Sequence, residues 1–154
     1  PPLVYGEDAK GYLGSILKII KYNIPLPFGS FSNNQKSFIH IDNFLDFLDT
    51  VIQHPKSANN IFLCSDCNDI STANLLKNLY VGMHNKNYLL KFPRFLVRCL
   101  LYFFGKGNLY KKISESLIID CSKSSKILDW HPAINPEIAL QKVARNYFLK
   151  KSTN

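Results

Sequence analysis

The chain has one pair of cysteines at a spacing that could bind metal or cycle electrons, Cys64-Ser65-Asp66-Cys67. A structural zinc takes four ligands, and neither a second Cys-x-x-Cys nor a closely spaced His pair follows. The segment therefore reads as a strand end, Ile61-Phe62-Leu63-Cys64, running into a turn over 66–69. Cys99 and Cys121 stand too far off to form a stapled miniature fold, and reduced thiols are expected. His40 sits mid-strand with no evident carboxylate partner in sequence, which suits structure better than acid–base chemistry. His54, His84 and His131 fall in turn-like contexts without metal spacing, so no metal ligand is assigned. What remains is charge: 19 Lys+Arg against 11 Asp+Glu, a net +8. That balance favours anionic partners such as phosphates, nucleic acid or acidic lipid. The basic residues are dispersed and form no reading motif, so nucleic acid is not expected.

The elements that must position these residues alternate between strand-length apolar runs and helical stretches, the rhythm of an α/β chain. With 154 residues, 46% of them hydrophobic, one modest domain over 1–154 can bury a core. Leu3-Val4-Tyr5 reads as a short buried strand, followed by a helix bearing Leu13, Ile16, Leu17, Ile19 and Ile20 until Asn23 and Pro25 stop it. Ser37 to Ile41 alternates as a strand, and Asp42 is placed to cap a helix carrying Phe44, Phe47, Leu48 and Val51, closed by Pro55. Ser71 or Thr72 caps a helix with Leu75, Leu76, Leu79 and Tyr80 on one face. Tyr88-Leu89-Leu90 and Ile118-Ile119-Asp120 read as further strands, with a short helix over 122–128 and a last one opened by Pro136. The end from Lys150 to Asn154 is expected to fray. No apolar run reaches the roughly 18 to 20 residues of a bilayer span, and no basic-then-apolar signal opens the chain, so a cytoplasmic location is expected.

Several motifs go further. Pro2-Leu3-Val4-Tyr5-Gly6, Gly11-Tyr12-Leu13, Pro25-Leu26-Pro27-Phe28-Gly29 and Lys36-Ser37-Phe38-Ile39-His40-Ile41-Asp42 occur in that order. Asp120-Cys121-Ser122-Lys123, Leu128-Asp129-Trp130-His131-Pro132 and Pro136-Glu137-Ile138-Ala139-Leu140 complete the series. Together they resemble the sugar-nucleotide-binding part of the NAD-dependent epimerases and dehydratases, the extended short-chain dehydrogenase/reductases. That family's glycine-rich cofactor loop and its catalytic Tyr-x-x-x-Lys lie ahead of a segment like Pro1–Gly6. The resemblance therefore implies the C-terminal, substrate-binding lobe of such an enzyme, with a small mixed sheet and several helices and without the N-terminal Rossmann half.

The same resemblance implies site residues. Leu13, Leu26, Phe28, Asn34 and Lys36 are expected to bind substrate, with Phe28 the aromatic wall for a base and Lys36 the cation on a diphosphate. Many members carry an Arg at the position of Lys36, and Lys supplies the charge without the two-pronged geometry. Pro2 and Tyr5 are expected near the nicotinamide end of NAD or NADP. Catalytic residues are expected in the absent half, leaving the isolated chain inactive. A second phosphate-holding Arg common in the family has no counterpart, and Lys111 or Lys112 is the substitute considered. The implied partner is a nucleotide-diphosphate sugar, with UDP-sugar 4-epimerisation or 4-keto reduction in surface-polysaccharide synthesis as the implied activity. Strands deprived of the other half would expose apolar edges and favour self-association, as in a homodimer.

A different class of function competes. The stretch from Phe92 to Phe104 is apolar nearly all round, so a helix there must be buried on most sides or lie on another surface. Flanked by Arg94, Arg98, Lys106, Lys111 and Lys112, it has the composition of a module that rests on an acidic membrane. The resemblance instead assigns this segment to a lid over the substrate cleft.

Overall fold

A computed structural model describes residues 1–7, 11–84 and 86–152, with the side chains of Lys151 and Ser152 excepted. Among these residues two strands, β1 (Leu3–Tyr5) and β2 (Phe38–His40), form a parallel pair in the register Leu3 to Phe38, Val4 to Ile39 and Tyr5 to His40. Seven helices surround it: α1 (Gly11–Lys21), α2 (Ile41–Gln53), α3 (Thr72–His84), α4 (Arg94–Phe103), α5 (Gly107–Ser114), α6 (Ser122–Leu128) and α7 (Pro136–Ser152). The α/β class is as expected, but the small sheet is parallel where a mixed one was anticipated. The antiparallel element is reduced to an isolated bridge between Lys36 and Ile70.

β2 is buried at all three positions, and its alternation divides the interior. Phe38 faces a core built by Leu13, Leu17 and Ile20 of α1, Leu75, Leu76 and Leu79 of α3, and Leu140 and Val143 of α7. Ile39 faces the opposite core of Phe47, Cys64, Leu128 and Trp130. Trp130 fills the gap between α2 and α6, with its ring edge-on to Phe47 at 5.0 Å and its indole N–H donating to Asp46 Oδ2 at 2.8 Å. A third, smaller cluster joins Phe31 to Val97 of α4 and Ile113 of α5.

Local signals hold in most places and shift in some. Ser71 Oγ accepts from Asn74 N at 3.1 Å and so opens α3 as a cap. At α2 the cap is His40, whose Nδ1 accepts from Asp42 N at 3.3 Å, so Asp42 is the second residue of the first turn rather than the cap. The segment Ile61–Cys64 stays extended without entering a ladder, as does most of Tyr88–Leu90 and Ile118–Asp120. Leu89 bridges Leu26, and Leu117, just ahead of Ile118, bridges Lys36. Elsewhere side chains take backbone groups: Ser124 Oγ donates to the Leu63 carbonyl, and Ser37 Oγ accepts from Ile119 N. α7 continues through Lys150 to Ser152 instead of fraying there; Thr153 and Asn154 lie outside the described residues.

Asp129 ends α6 in the left-handed region, φ 51°. The motif that Leu128-Asp129-Trp130 resembles has Gly here, and glycine reaches this conformation without a Cβ penalty. Asp129→Gly is expected to raise stability by about 0.5–1 kcal/mol in urea unfolding, partly offset by the greater freedom of glycine in the unfolded chain. A loss of stability would show that Asp129 makes a contact worth more than its strain.

α3 and α7 pack tightly because Gly82 lets them. A Cβ added there would lie 2.2 Å from the Gln141 carbonyl oxygen, which belongs to the α7 backbone and cannot rotate away. Gly82→Ala is expected to cost about 2 kcal/mol, since overpacking must push two helices apart. The urea midpoint reads this directly, and an unchanged midpoint would refute it.

Candidate functional site

β1 and β2 run parallel, so their carboxyl ends open together, the place where α/β sheets present ligand sites. A cavity of about 570 Å³ lies there, lined among others by Leu3, Tyr5, Gly6, Leu13, His40 and Lys142. Leu3 also lines a second cavity of about 260 Å³, whose other walls are Tyr12, Lys36, Ser37, Phe38, Lys112 and Leu117. The two hollows thus adjoin across one β1 side chain.

The smaller cavity sets two lysines, Lys36 and Lys112, in a mainly apolar lining. Lys36 stands just before β2, its N–H donating to the Ile70 carbonyl at 3.0 Å and its own carbonyl accepting from Ile70 N at 2.9 Å. Its backbone is therefore fixed. Its Nζ donates to the Lys112 carbonyl near the end of α5, which holds the half-buried ammonium at the cavity wall. Burial lowers the Lys36 pKa below the ordinary 10.5, with the nearby Glu115 pulling partly back. Lys112 and Tyr12 also line this cavity, and burial raises the Tyr12 hydroxyl pKa.

The expected pairing of Phe28 with Lys36 is not what the fold produces. Phe28 turns inward, edge-on to Phe31 at 6.1 Å, and packs between the large core and the α4–α5 cluster, lining neither cavity. Leu26 is likewise a half-buried core residue bridged to Leu89. Asn34 is 5% exposed and spends its amide internally. Its Nδ2 donates to Thr72 Oγ1 at 2.8 Å and to the Ile113 carbonyl at 3.0 Å, while Oδ1 accepts from Thr72 N at 3.2 Å. Asn34 therefore pins the start of α3 to the end of α5 and keeps Lys112 in place. Leu13 does reach the larger cavity from α1. Pro2 precedes β1 half-buried and lines neither hollow.

Tyr5 lines the larger cavity with its ring, but its hydroxyl is committed to Asp66 Oδ2 at 2.8 Å. Burial first, then the Asp66 carboxylate, keeps that phenol protonated far above its usual range. Asp66 is 4% exposed and also accepts from His40 N at 3.0 Å and from Asn43 Nδ2 at 2.7 Å. Asn43 in turn donates to the Ile134 carbonyl at 3.1 Å and accepts from Ile134 N at 3.0 Å. One carboxylate thus joins β1, β2, α2 and the approach to α7 directly behind the larger cavity. Nothing in the local sequence marks Asp66 for this work beyond its being a lone acid after an apolar run.

The Tyr-x-x-x-Lys spacing, expected nowhere in these 154 residues, in fact occurs twice, at Tyr102/Lys106 and Tyr147/Lys151. Tyr102, Lys106 and Tyr147 line neither cavity, and the Lys151 side chain lies outside the described residues. Tyr102 is half-exposed on α4 beside Arg98, and Tyr147 packs on the main core from α7. All four cysteines are free. Burial pushes the Cys64 and Cys67 thiols up to about 11, which leaves them poor nucleophiles at neutral pH.

No family model matches the sequence. The chain is 34% identical over 132 residues to a UDP-glucose 4-epimerase of Vibrio cholerae, a match that takes in 86% of this chain and 40% of that protein. Its fold is similar to a UDP-N-acetylglucosamine 4-epimerase from Bacillus cereus, with a TM-score of 0.67 at 14% identity over 93% of this chain and 45% of that one. A UDP-glucose 4-epimerase from Thermotoga maritima, solved with UDP-glucose, gives 0.60 at 16% identity over 99% of this chain and 45% of its own. The chain spans less than half the length of each. The chain is thus similar in sequence to one portion of a UDP-glucose 4-epimerase and shares the fold of a portion of two UDP-sugar 4-epimerases.

Proposed function

We propose that this chain forms the diphosphate-gripping side of an enzyme acting on nucleotide sugars. The observation that carries the reading is the gathering of Lys36, Lys112 and Tyr12 around one cavity that adjoins the hollow at the strand ends. A diphosphate leaving water needs fixed positive charge, and a planar base or sugar face gains from an aromatic wall. Two lysines and a tyrosine provide both. Lys112 takes the part considered for it in place of a missing Arg, and Tyr12 takes the part expected of Phe28.

The chemistry would be oxidation at a sugar carbon by a nicotinamide, NAD or NADP, followed by re-reduction of the keto sugar from the other face or its diversion to another product. This chain's residues bind, orient and exclude water: Lys36 and Lys112 on the diphosphate, and Leu13 and the Tyr5 ring along the larger hollow. The hydride and the proton-transfer groups would come from a companion lobe, so the isolated chain is expected to be inactive. NAD- or NADP-dependent turnover of a sugar nucleotide by this chain alone would overturn that part. A role in surface-polysaccharide synthesis and a location in the cytoplasm fit the reading.

Titration with UDP, UMP and uridine tests the grip. UDP is expected to bind at least about tenfold more tightly than uridine, because the charged contacts go to phosphate. Equal affinity for the two would sink the reading.

A further inference from the structure

α4 is an amphipathic helix turned the wrong way round for a packed protein. Val97 is its one buried residue, and with half-buried Leu101 it faces the small cluster over Phe31 and Ile113. The opposite side carries Phe95, Leu96, Leu100 and Phe103, at 64%, 43%, 53% and 85% exposure. Leu96, Leu100 and Phe103, four and three residues apart, form one stripe on the helix, with Phe95 on its flank. Phe92 and Phe104 extend it at both ends, exposed at 44% and 64%. Pro27, Phe92, Leu96, Leu100 and Phe103 bound an apolar groove along it. Outward apolar surface of this extent on one helix marks a contact.

Charge selects the kind of contact. From Ile70 to Ser114 the sequence holds no Asp or Glu, while Lys91, Arg98, Lys106 and Lys111 are all exposed around the stripe. Arg98 does not interrupt it. The residue sits to one side with Arg94, its guanidinium over the Tyr102 ring at 5.7 Å, and Arg94 is tied to the Ser30 carbonyl at 2.9 Å. A second copy meeting this face about a two-fold axis would bring like charges together with no acid to answer them. α4 supplies no residue to either cavity. We propose that the α4 face rests on an anionic lipid bilayer, with Phe95, Leu100 and Phe103 seated at the acyl boundary and the surrounding cations on the headgroups. No helix among the described residues is long and apolar enough to cross a membrane, so the contact is parallel to the surface.

Flotation on a density gradient tests this, because aggregates sink while vesicle-bound protein rises. The chain is expected to float with vesicles of phosphatidylglycerol and phosphatidylcholine at low salt, and to be released as salt screens the headgroups. With pure phosphatidylcholine it should stay behind. Phe95→Ser with Phe103→Ser, both at exposed positions, should lower the partition at least about tenfold, and Arg98→Gln with Lys106→Gln about as much. Failure to float with anionic vesicles overturns the proposal. So does equal flotation with neutral ones, or a Phe103→Ser change that abolishes self-association and leaves vesicle binding intact. If a longer protein containing this chain loses the flotation, the face belongs to its other part and the proposal also falls.

Discussion

Asp66→Ala is expected to remove about 4 kcal/mol of stability. The carboxylate is 4% exposed and receives the Tyr5 hydroxyl, the His40 N–H and the Asn43 amide, each within 3.1 Å. Removing the acceptor leaves three donors facing a void, and each stranded group costs about 1–3 kcal/mol before partial relaxation or water entry. Small domains are stable by roughly 5–15 kcal/mol in all, so the variant should lie close to its unfolding midpoint without denaturant. Tyr5→Phe removes only one donor and leaves the acceptor served by the others, so its cost should be near 1 kcal/mol. Urea unfolding followed by far-ultraviolet circular dichroism measures both. If Asp66→Ala costs no more than Tyr5→Phe, the carboxylate is not the junction that the geometry makes it.

Lys36→Met is expected to weaken UDP binding by about 10- to 100-fold, the worth of one charge-assisted contact to phosphate in a partly closed site. Stability should change little, because the long apolar stem is replaced by another. The pH dependence distinguishes a ligand contact from a structural role. Burial lowers the Lys36 pKa in the folded chain below its unfolded 10.5, so folding favours the neutral amine. The stability this group contributes is then full above 10.5 and is lost as pH falls through the folded value. Binding an anion has the opposite preference. UDP affinity should therefore fall as pH rises through the lowered Lys36 value, before ordinary lysines titrate. Lys36→Arg stays charged across that range and should abolish the alkaline decline. A calorimetric titration series that shows the same alkaline decline for Lys36→Arg would rule out Lys36 as the group on the phosphate.

Much of the scaffold is legible along the chain because its signals are local. The period of Leu75, Leu76, Leu79 and Tyr80 marks the buried face of α3, and Ser71 marks its start. Pro136 opens α7, and Trp130 is recognisable as a plug because a large aromatic between two short helices has few other uses. The extended runs were harder to assign. Ile61–Cys64 has strand composition, but a strand is defined by its neighbour, and here the Asp66 side chain takes the β2 N–H at His40 that a ladder carbonyl would otherwise accept. The Asp66 N–H itself goes to the Phe38 carbonyl at 2.8 Å, so the segment runs beside β2 without completing a ladder.

The candidate site divides in the same way. Lys36 and Leu13 are expected at the site by their place in motifs that resemble the family's, and both do line cavities. Phe28 and Asn34 were placed by their position in a motif, and position in a motif does not say which way a side chain turns. Phe28 turns into the core because Phe31 and the 26–29 turn close over it, and Asn34 is consumed by α3 and α5. Tyr12 and Lys112 meet Lys36 across long stretches of sequence, a convergence no local pattern encodes.

What the sequence by itself determined is most of the helices, α5 excepted, the excess of positive charge and an order of motifs that resembles the epimerases. Each depends on residue type and near spacing, which are properties of a string. Tertiary structure alone decided which aromatic lines the cation's cavity, that a single carboxylate ties the strand ends together, and that the apolar face of α4 looks outward. Those outcomes depend on which surfaces the packed cores leave uncovered, and burial is settled only when distant segments compete for the same interior.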